Sequence, residues 1–235
     1  MSDNAEQQTR RLSEQRKAAI MDVAWRILLA RGYSGTSMAE VSEQLGGSKA
    51  TLYNYFPSKE QLFRAIITQK SDELYRDLAD FSRDMVDLDV DLPEFGLHLL
   101  RIILSDTYVA MHRLMIAEAG RIAKISAFEY DKRRLVALTP LAKAVQRQME
   151  AGRLPKSDPL EATESFWNLC TATIQRRALM SYSPRPGDDE LRAIAERATR
   201  IFLAAFGTPE DRARLGSSAA TSGSEGSVIT QPPGR

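Results

Sequence analysis

The stretch SMAEVSEQLGGSKATLYNYF, residues 37–56, decides the fold. Its first four residues form a capping box. Ser37 can accept from the amide three residues on, while Glu40 reaches back to the Ser37 amide. The helix that opens there must be short, because Gly46 and Gly47 follow closely. Ser48 then caps a second short helix through about Tyr53. Two short helices joined by a Gly-containing turn are the signature of a helix-turn-helix, whose second helix lies in a DNA major groove while the first crosses the backbone; a helical hairpin with an aromatic surface is the alternative.

Working outward, Pro57 breaks the chain and a second capping box, SKEQ at 58–61, opens a long helix toward residue 85. Upstream, Ile20, Val23, Ala24, Ile27 and Leu28 repeat at helical spacing, which predicts an amphipathic helix from about Ser13 to Ala30 stopped near Gly32. Downstream, helices are expected from Pro93 to Leu104, Tyr108 to Gly120 and Ile125 to Ala151, the last kinked or divided at Pro140. Asp158 and Pro159 open another, to about Ser181, and the final helix spans about Asp188 to Phe206. Strand signals are nearly absent, so the fold class is all-α. The expected organisation is a flexible arm at 1–12, a helix-turn-helix domain at 13–57, a helical effector-binding and dimerisation domain at 58–207, and a disordered Ser/Gly/Pro-rich tail at 208–235.

Composition narrows the function classes. Apolar residues make up 43% of 235, enough for a real core, and the net charge is +1. The charge is uneven, however: residues 10–65 carry nine Lys/Arg against five Asp/Glu, so the first third has the sign to meet a polyanion. The N-terminus is polar and reads as no signal peptide, and no run is apolar enough for a membrane span, so a cytoplasmic location is expected. Cys170 is the single cysteine, which excludes an internal disulfide and a cysteine-based zinc site. His98 and His112 lie 14 apart without a carboxylate cluster at ligand spacing, so no metal or other cofactor is expected. Nothing resembles a catalytic triad or paired-carboxylate site, and GGSKAT lacks the GxxxxGK spacing of a phosphate loop; the reading is not an enzyme.

Within the opening stretch, Leu45 and Leu52 face inward with Met38 and Val41. That leaves Lys49, Ala50, Thr51, Tyr53, Asn54 and Tyr55 at outward or end positions. Small residues at 50 and 51 let the backbone approach base edges, and Ala50 or Thr51 can touch thymine methyls. Lys49, Tyr53, Tyr55 and Lys59 have the reach and polarity for phosphates.

The segment RKAAIMDVAWRILLARGYSGTSMAEVSEQLGGSKATLYNYFPSKEQLFRAII closely resembles the N-terminal DNA-binding domain of TetR-family transcriptional regulators, on RGYSGTSM, GGSKATLYNYF and SKEQLF. The family is all-helical and homodimeric, with three N-terminal DNA-binding helices and a divergent C-terminal domain that binds a small molecule. The resemblance implies that Thr36 and Ser37 hold phosphates, that Ser48, Lys49, Ala50 and Thr51 lie in the major groove, and that Tyr53, Tyr55 and Lys59 grip the backbone, with Asn54 able to serve either role. Three positions depart from the family pattern: Leu28 for Phe, Ser42 for Ala, and Gly47 for the Val of the turn. Losing that Val is expected to loosen the turn. LMIAEAGR, AVQRQMEAGRL, SDPLEATESFWNL and RRALM are similar to the AefR-like branch, in which the last two helices pair with their mates in a dimer.

Candidate effector-lining residues are Phe95, Leu99, Ile103, Tyr108, Met111, His112, Met115, Phe128, Leu135, Trp167 and Ile174; Met and aromatic walls suit an apolar or amphipathic small molecule. The apolar stripe of the last helix, with residues 160–178, is too broad for a lone surface helix. It assigns Phe166, Cys170, Leu191, Ile194, Ala198, Ile201 and Phe202 to a two-fold interface. The function read from this pattern is a ligand-responsive regulator, a repressor bound to a palindromic DNA operator as a homodimer and released by effector, with the long helix from Ser58 as lever. An activator, or a helical sensor without DNA binding, is the alternative.

Overall fold

The computed structural model describes residues 2–83, 85–120, 123–180 and 185–208; the side chains of 2–5, 77, 123–134, 136 and 137 are not among them. Within these residues the chain forms helices and no strand: α1 Ser2–Gly35, α2 Met38–Gln44, α3 Lys49–Tyr55, α4 Lys59–Arg83, α5 Leu88–Ile103, α6 Asp106–Glu118, α7 Ala123–Glu150, α8 Pro159–Leu179 and α9 Asp188–Phe206. None of them is long and apolar enough to cross a membrane.

Two boundaries differ from the sequence reading. α1 begins at Ser2, so the segment expected as a flexible arm is helical. Its apolar periodicity starts only near Ala18, but Glu6 and Arg10 lie one turn apart, a pairing that supports a solvated helix without a buried face. α7 runs through Pro140 as one helix. The expected tail from 209 onward lies outside the described residues.

The chain divides into two compact units. The first holds residues 1–80, 101–137 and 173–185; the second holds 81–100, 138–172 and 186–235. In the first, Ile20, Ala24, Ile27 and Leu28 of α1 meet Val41 of α2, Leu52 of α3, and Leu62, Phe63, Ile66 and Ile67 of α4 in one core. Met111 and Leu114 of α6 belong to that same core. Leu52 is the one buried side chain of α3, and burying a Leu contributes about 2 kcal/mol. α3 is therefore held by one apolar anchor and by Phe56 directly after it, which leaves the rest of its surface outward.

The corner between α1 and α2 is fixed by polar contacts. Gly32 has φ +69°, a left-handed conformation that breaks α1 where the sequence placed its stop. The Thr36 hydroxyl donates to the Gly32 carbonyl at 2.8 Å. The Lys59 ammonium donates to the carbonyls of Tyr33 at 2.8 Å and Thr36 at 3.0 Å. It also sits 4.3 Å from the centre of the Tyr33 ring, whose edge packs on Phe63. A cation on the first residue of α4 opposes that helix's own dipole. Its place there is explained by the carbonyls it satisfies at the end of α1.

In the second unit, Phe95 packs on Phe81 and Phe166, and Phe166 meets the Phe202 ring edge-on. A Cβ placed on Gly96 would lie 2.9 Å from Ala195 Cβ and 3.3 Å from Cys170 Sγ, so α5 approaches α8 and α9 at backbone contact distance there. The Arg147 guanidinium closes α4 by donating to the carbonyls of Ser82 and Arg83.

Two outcomes follow from this packing. Lys59→Met keeps the stem but takes the ammonium from two carbonyls, of which that of Tyr33 keeps the Thr36 amide, and is expected to cost about 1–3 kcal/mol, read as a lowered Tm by circular dichroism. Gly96→Val inserts atoms into a closed helix crossing and is expected to cost about 1–3 kcal/mol in denaturant unfolding; an unchanged midpoint would refute the close packing.

Candidate nucleic-acid interface and sensing residues

The reader helix is built by local capping. Ser48, extended at φ −75° and ψ 145°, accepts from the Thr51 amide at 3.1 Å, and the Ser48 and Thr51 hydroxyls share a further bond at 2.9 Å. Ser37 accepts from the Glu40 amide at 3.1 Å, completing half of the expected capping box. The Glu40 carboxylate does not return to Ser37; it pairs with the Arg31 guanidinium at 3.0 Å, tying α2 to the end of α1. Gly46, at φ +61°, is the glycine that the turn's backbone requires.

The ten residues expected at DNA separate into three groups. Ser37, Ser48, Lys49, Ala50, Tyr53 and Asn54 are exposed, Tyr53 at 47%. Thr51 and Tyr55 are half-buried, Tyr55 against the core. Thr36 and Lys59 differ from the rest: Thr36 is buried with its hydroxyl on Gly32, and the Lys59 ammonium places two of its three donors on the α1 corner.

The turn expected to be loosened carries two hydrogen bonds. The Ser42 hydroxyl donates to the Gly47 carbonyl at 3.0 Å while the Gly47 amide returns to the Ser42 carbonyl at 3.4 Å. The two departures from the family pattern are thus one unit: the hydroxyl gained at 42 secures the turn residue that lost its side chain at 47. A Cβ on Gly47 would meet the Arg16 guanidinium. Arg16 was missed, although it stands four residues before Ile20 on the inward stripe, an available signal.

The effector candidates are drawn from both units. Ile103, Tyr108, Met111, His112, Met115 and Ile174 fall in the first unit, and Phe95, Leu99 and Trp167 in the second. The Phe128 side chain lies outside the described residues, and Leu135 is exposed. Phe95 is consumed by aromatic packing, and Met111 by the core under α1 and α4, where its sulfur also meets the Ser71 hydroxyl. Tyr108 and His112 make a distinct polar pair, their rings stacked at 3.8 Å. The Tyr108 hydroxyl accepts from the Gln175 amide at 2.9 Å. His112 Nδ1 lies 3.1 Å from the Tyr108 carbonyl, which can only accept, so Nδ1 carries the proton. Burial pushes the imidazole pKa below its ordinary value, against the smaller upward pull of that bond. The ring is therefore neutral at pH 7, and Nε2 holds a lone pair.

Glu118, at the end of α6, was also missed. It is buried and accepts from the Ser34 amide at 3.5 Å and hydroxyl at 3.3 Å. This ties α6 to the same corner that Lys59 holds.

The interface candidates divide by their burial within the protomer. Phe166, Cys170, Leu191, Ala198 and Phe202 are buried within the protomer, because α9 turns its stripe onto its own unit. Burial also raises the Cys170 thiol pKa to about 12, so it stays protonated and unreactive. Ile194 is half-buried, and Ile201 is 46% exposed. Leu169, on α8, is exposed at 38% and was not anticipated.

Comparison with known proteins agrees with this arrangement. Residues 20–66 match the family described as bacterial regulatory proteins, tetR family, and residues 91–208 match the AefR-like transcriptional repressor, C-terminal domain. The HTH-type transcriptional regulator RutR of Escherichia coli K12 is 27% identical over 154 residues, 65% of this chain and 70% of RutR. YfiR of Bacillus subtilis, an uncharacterized HTH-type regulator, is 36% identical over 70 residues, 30% of this chain and 34% of YfiR. The chain thus spans about a third of YfiR, and likewise 37% of LuxR of Vibrio harveyi. Among solved structures, a TetR-family regulator of Mesorhizobium loti superposes with a TM-score of 0.76 at 24% identity, covering 83% of this chain and 98% of that one. The flavonoid-responsive regulator FrrA superposes with a TM-score of 0.73 at 27% identity, covering 83% and 99%. With one model over the reader helices and another over half of the chain, the protein belongs to the TetR family of DNA-binding transcriptional regulators.

Proposed function

We propose that the protein is a cytoplasmic repressor that binds a palindromic operator as a homodimer and is released by an amphipathic effector. The observation that carries the DNA half is the division of α3: Leu52 alone is buried, while Lys49, Ala50, Tyr53 and Asn54 stand outward on a capped, seven-residue helix. Two such helices about 34 Å apart would read successive major grooves. Leu169, Ile194 and Ile201 are the apolar surface proposed for the two-fold contact, which replaces the stripe inferred from sequence.

The effector half rests on Tyr108 and His112. A neutral imidazole with its Nε2 lone pair accepts a hydrogen bond, so the effector is proposed to carry a hydroxyl donor on an aromatic or alicyclic body. FrrA, a relative named for its response to flavonoids, has that chemistry in its ligand class. α6 carries this pair and also places Met111 and Leu114 in the reader's core and Glu118 on Ser34. An effector that shifts α6 would therefore act on the α1–α2 corner directly. It need only prefer the shifted state to bias the population.

Two measurements test this reading. In a gel shift with duplexes that the protein itself selects from a random library, Lys49→Ala with Tyr53→Ala should weaken binding about 10-fold or more and flatten its salt dependence; unchanged affinity and slope would remove α3 from the DNA surface. For the effector, a panel of hydroxylated aromatics and their deoxy analogues should release the duplex only in the hydroxylated form, and His112→Phe should blunt the response. Because the folded-state pKa of His112 is lowered, release should hold at pH 7 and fade only as pH drops below the ordinary imidazole value of 6.5, when Nε2 becomes protonated.

A further inference from the structure

The α1 helix places Arg16 one turn before Ile20 on the face that points into the reader domain. Ile20 is fully buried; Arg16, half-buried, lies at the mouth of a narrow crevice floored by Ile20, Leu45 and Leu52 and rimmed by Ser48 and Thr51 of α3. Its guanidinium is stationed over the turn. A Cβ on Gly47 would stand 2.6 Å from Arg16 Nη2 and 3.9 Å from Cζ. Unlike Gly46, Gly47 does not adopt a left-handed backbone. The backbone therefore tolerates a side chain at 47, and a Cβ there would push the Arg16 guanidinium from the place it occupies.

Arg16 has no hydrogen-bond or ion-pair partner among the described residues. The polar groups on its rim are already committed, since the Ser48 and Thr51 hydroxyls bond to each other and the Ser42 hydroxyl is on Gly47. A guanidinium has five donors and never deprotonates, so this one, hydrated at the mouth of the crevice, is free to take an anion that arrives from outside. The outside here is the edge of the helix that reads DNA, and the anion that edge meets is a backbone phosphate.

We propose that Arg16 is a DNA-phosphate ligand that fixes the register of α3 in the groove, and that Gly47 is glycine because it leaves room for that guanidinium. The inference rests on the DNA-binding reading of α3 and adds a contact from outside the helix-turn-helix. It also accounts for the paired departures: Gly47 makes room for Arg16, and Ser42 restores the turn that the missing side chain would have packed.

The test is a salt titration of binding to a duplex of about 30 bp selected from a random library by the wild-type protein. Arg16→Ala should weaken binding about 10-fold and lower the slope of log affinity against log salt by about one per protomer, about two for a dimer. Arg16→Lys should keep most of the slope. Gly47→Ala should displace the guanidinium and reproduce part of the loss, and the combination with Arg16→Ala should add nothing further. Melting temperatures for each variant separate binding from folding; if Gly47→Ala unfolds, the Arg16→Ala and Arg16→Lys pair decides alone. A slope unchanged by Arg16→Ala, or a Gly47→Ala loss that adds fully to it, overturns the proposal while leaving the reader intact. A wild-type protein that selects no sequence would instead overturn the DNA reading itself.

Discussion

The Lys59 ammonium, held on the carbonyls of Tyr33 and Thr36, is the interaction on which the reader depends. A helix end leaves carbonyls without partners, and at a sharp corner they cannot all turn to water. α1 ends at such a corner, made by the left-handed Gly32. Lys59 satisfies two of those carbonyls from the first turn of α4, so one charge fixes the end of α1 and the start of α4 together. α2 departs from this corner, and Glu40 pins it there through Arg31. The direction of α3 follows, because Leu52 and Phe56 dock it in the core those helices enclose. A residue that resembles a DNA contact in sequence therefore also holds the corner from which the reader is built.

The same corner is also the place where α6 arrives. Glu118 reaches Ser34 across the backbone at Gly32, where a Cβ would already lie 3.1 Å from its carboxylate. Met111 and Leu114, two turns and one turn before it, sit in the reader's core rather than on a separate wall. The packed interior makes such a joint discrete: side chains at native density cannot yield gradually, so a shift of α6 must move α1 and α2 or be resisted. α6 and the helices that hold the reader thus share one core.

The sequence made the helices and their caps legible because those signals are local. Ser37, Ser48, Ser58 and Asp158 cap as their spacing implies, and Gly32 and Gly46 take the positive φ that only the chain's own stops demanded. The exposed face of α3 was legible for the same reason. What the sequence could not reveal were partners brought together from distant positions. Lys59 has the chemistry for a phosphate and for a carbonyl alike, and only the location of Tyr33 decides between them. Thr36 likewise reads as a hydroxyl available to DNA until the carbonyl of Gly32 is seen to receive it. Ser42 and Gly47 looked like two separate losses, and their hydrogen bond makes them one adjustment.

The interface stripe shows the limit of amphipathic reasoning most clearly. Periodicity reports that a helix face is buried, not whose atoms bury it. α9 carries Leu191, Ala195, Ala198 and Phe202 along one side, and the width of that stripe suggested a second chain. Its own protomer is sufficient: Gly96 brings α5 to contact distance of Ala195 and Cys170, and Phe166 fills the angle against Phe202. Those atoms are spent inward, while Leu169 and Ile201 stay exposed, so packing divides a stripe that periodicity marks as one face into an inner row and an outer remainder.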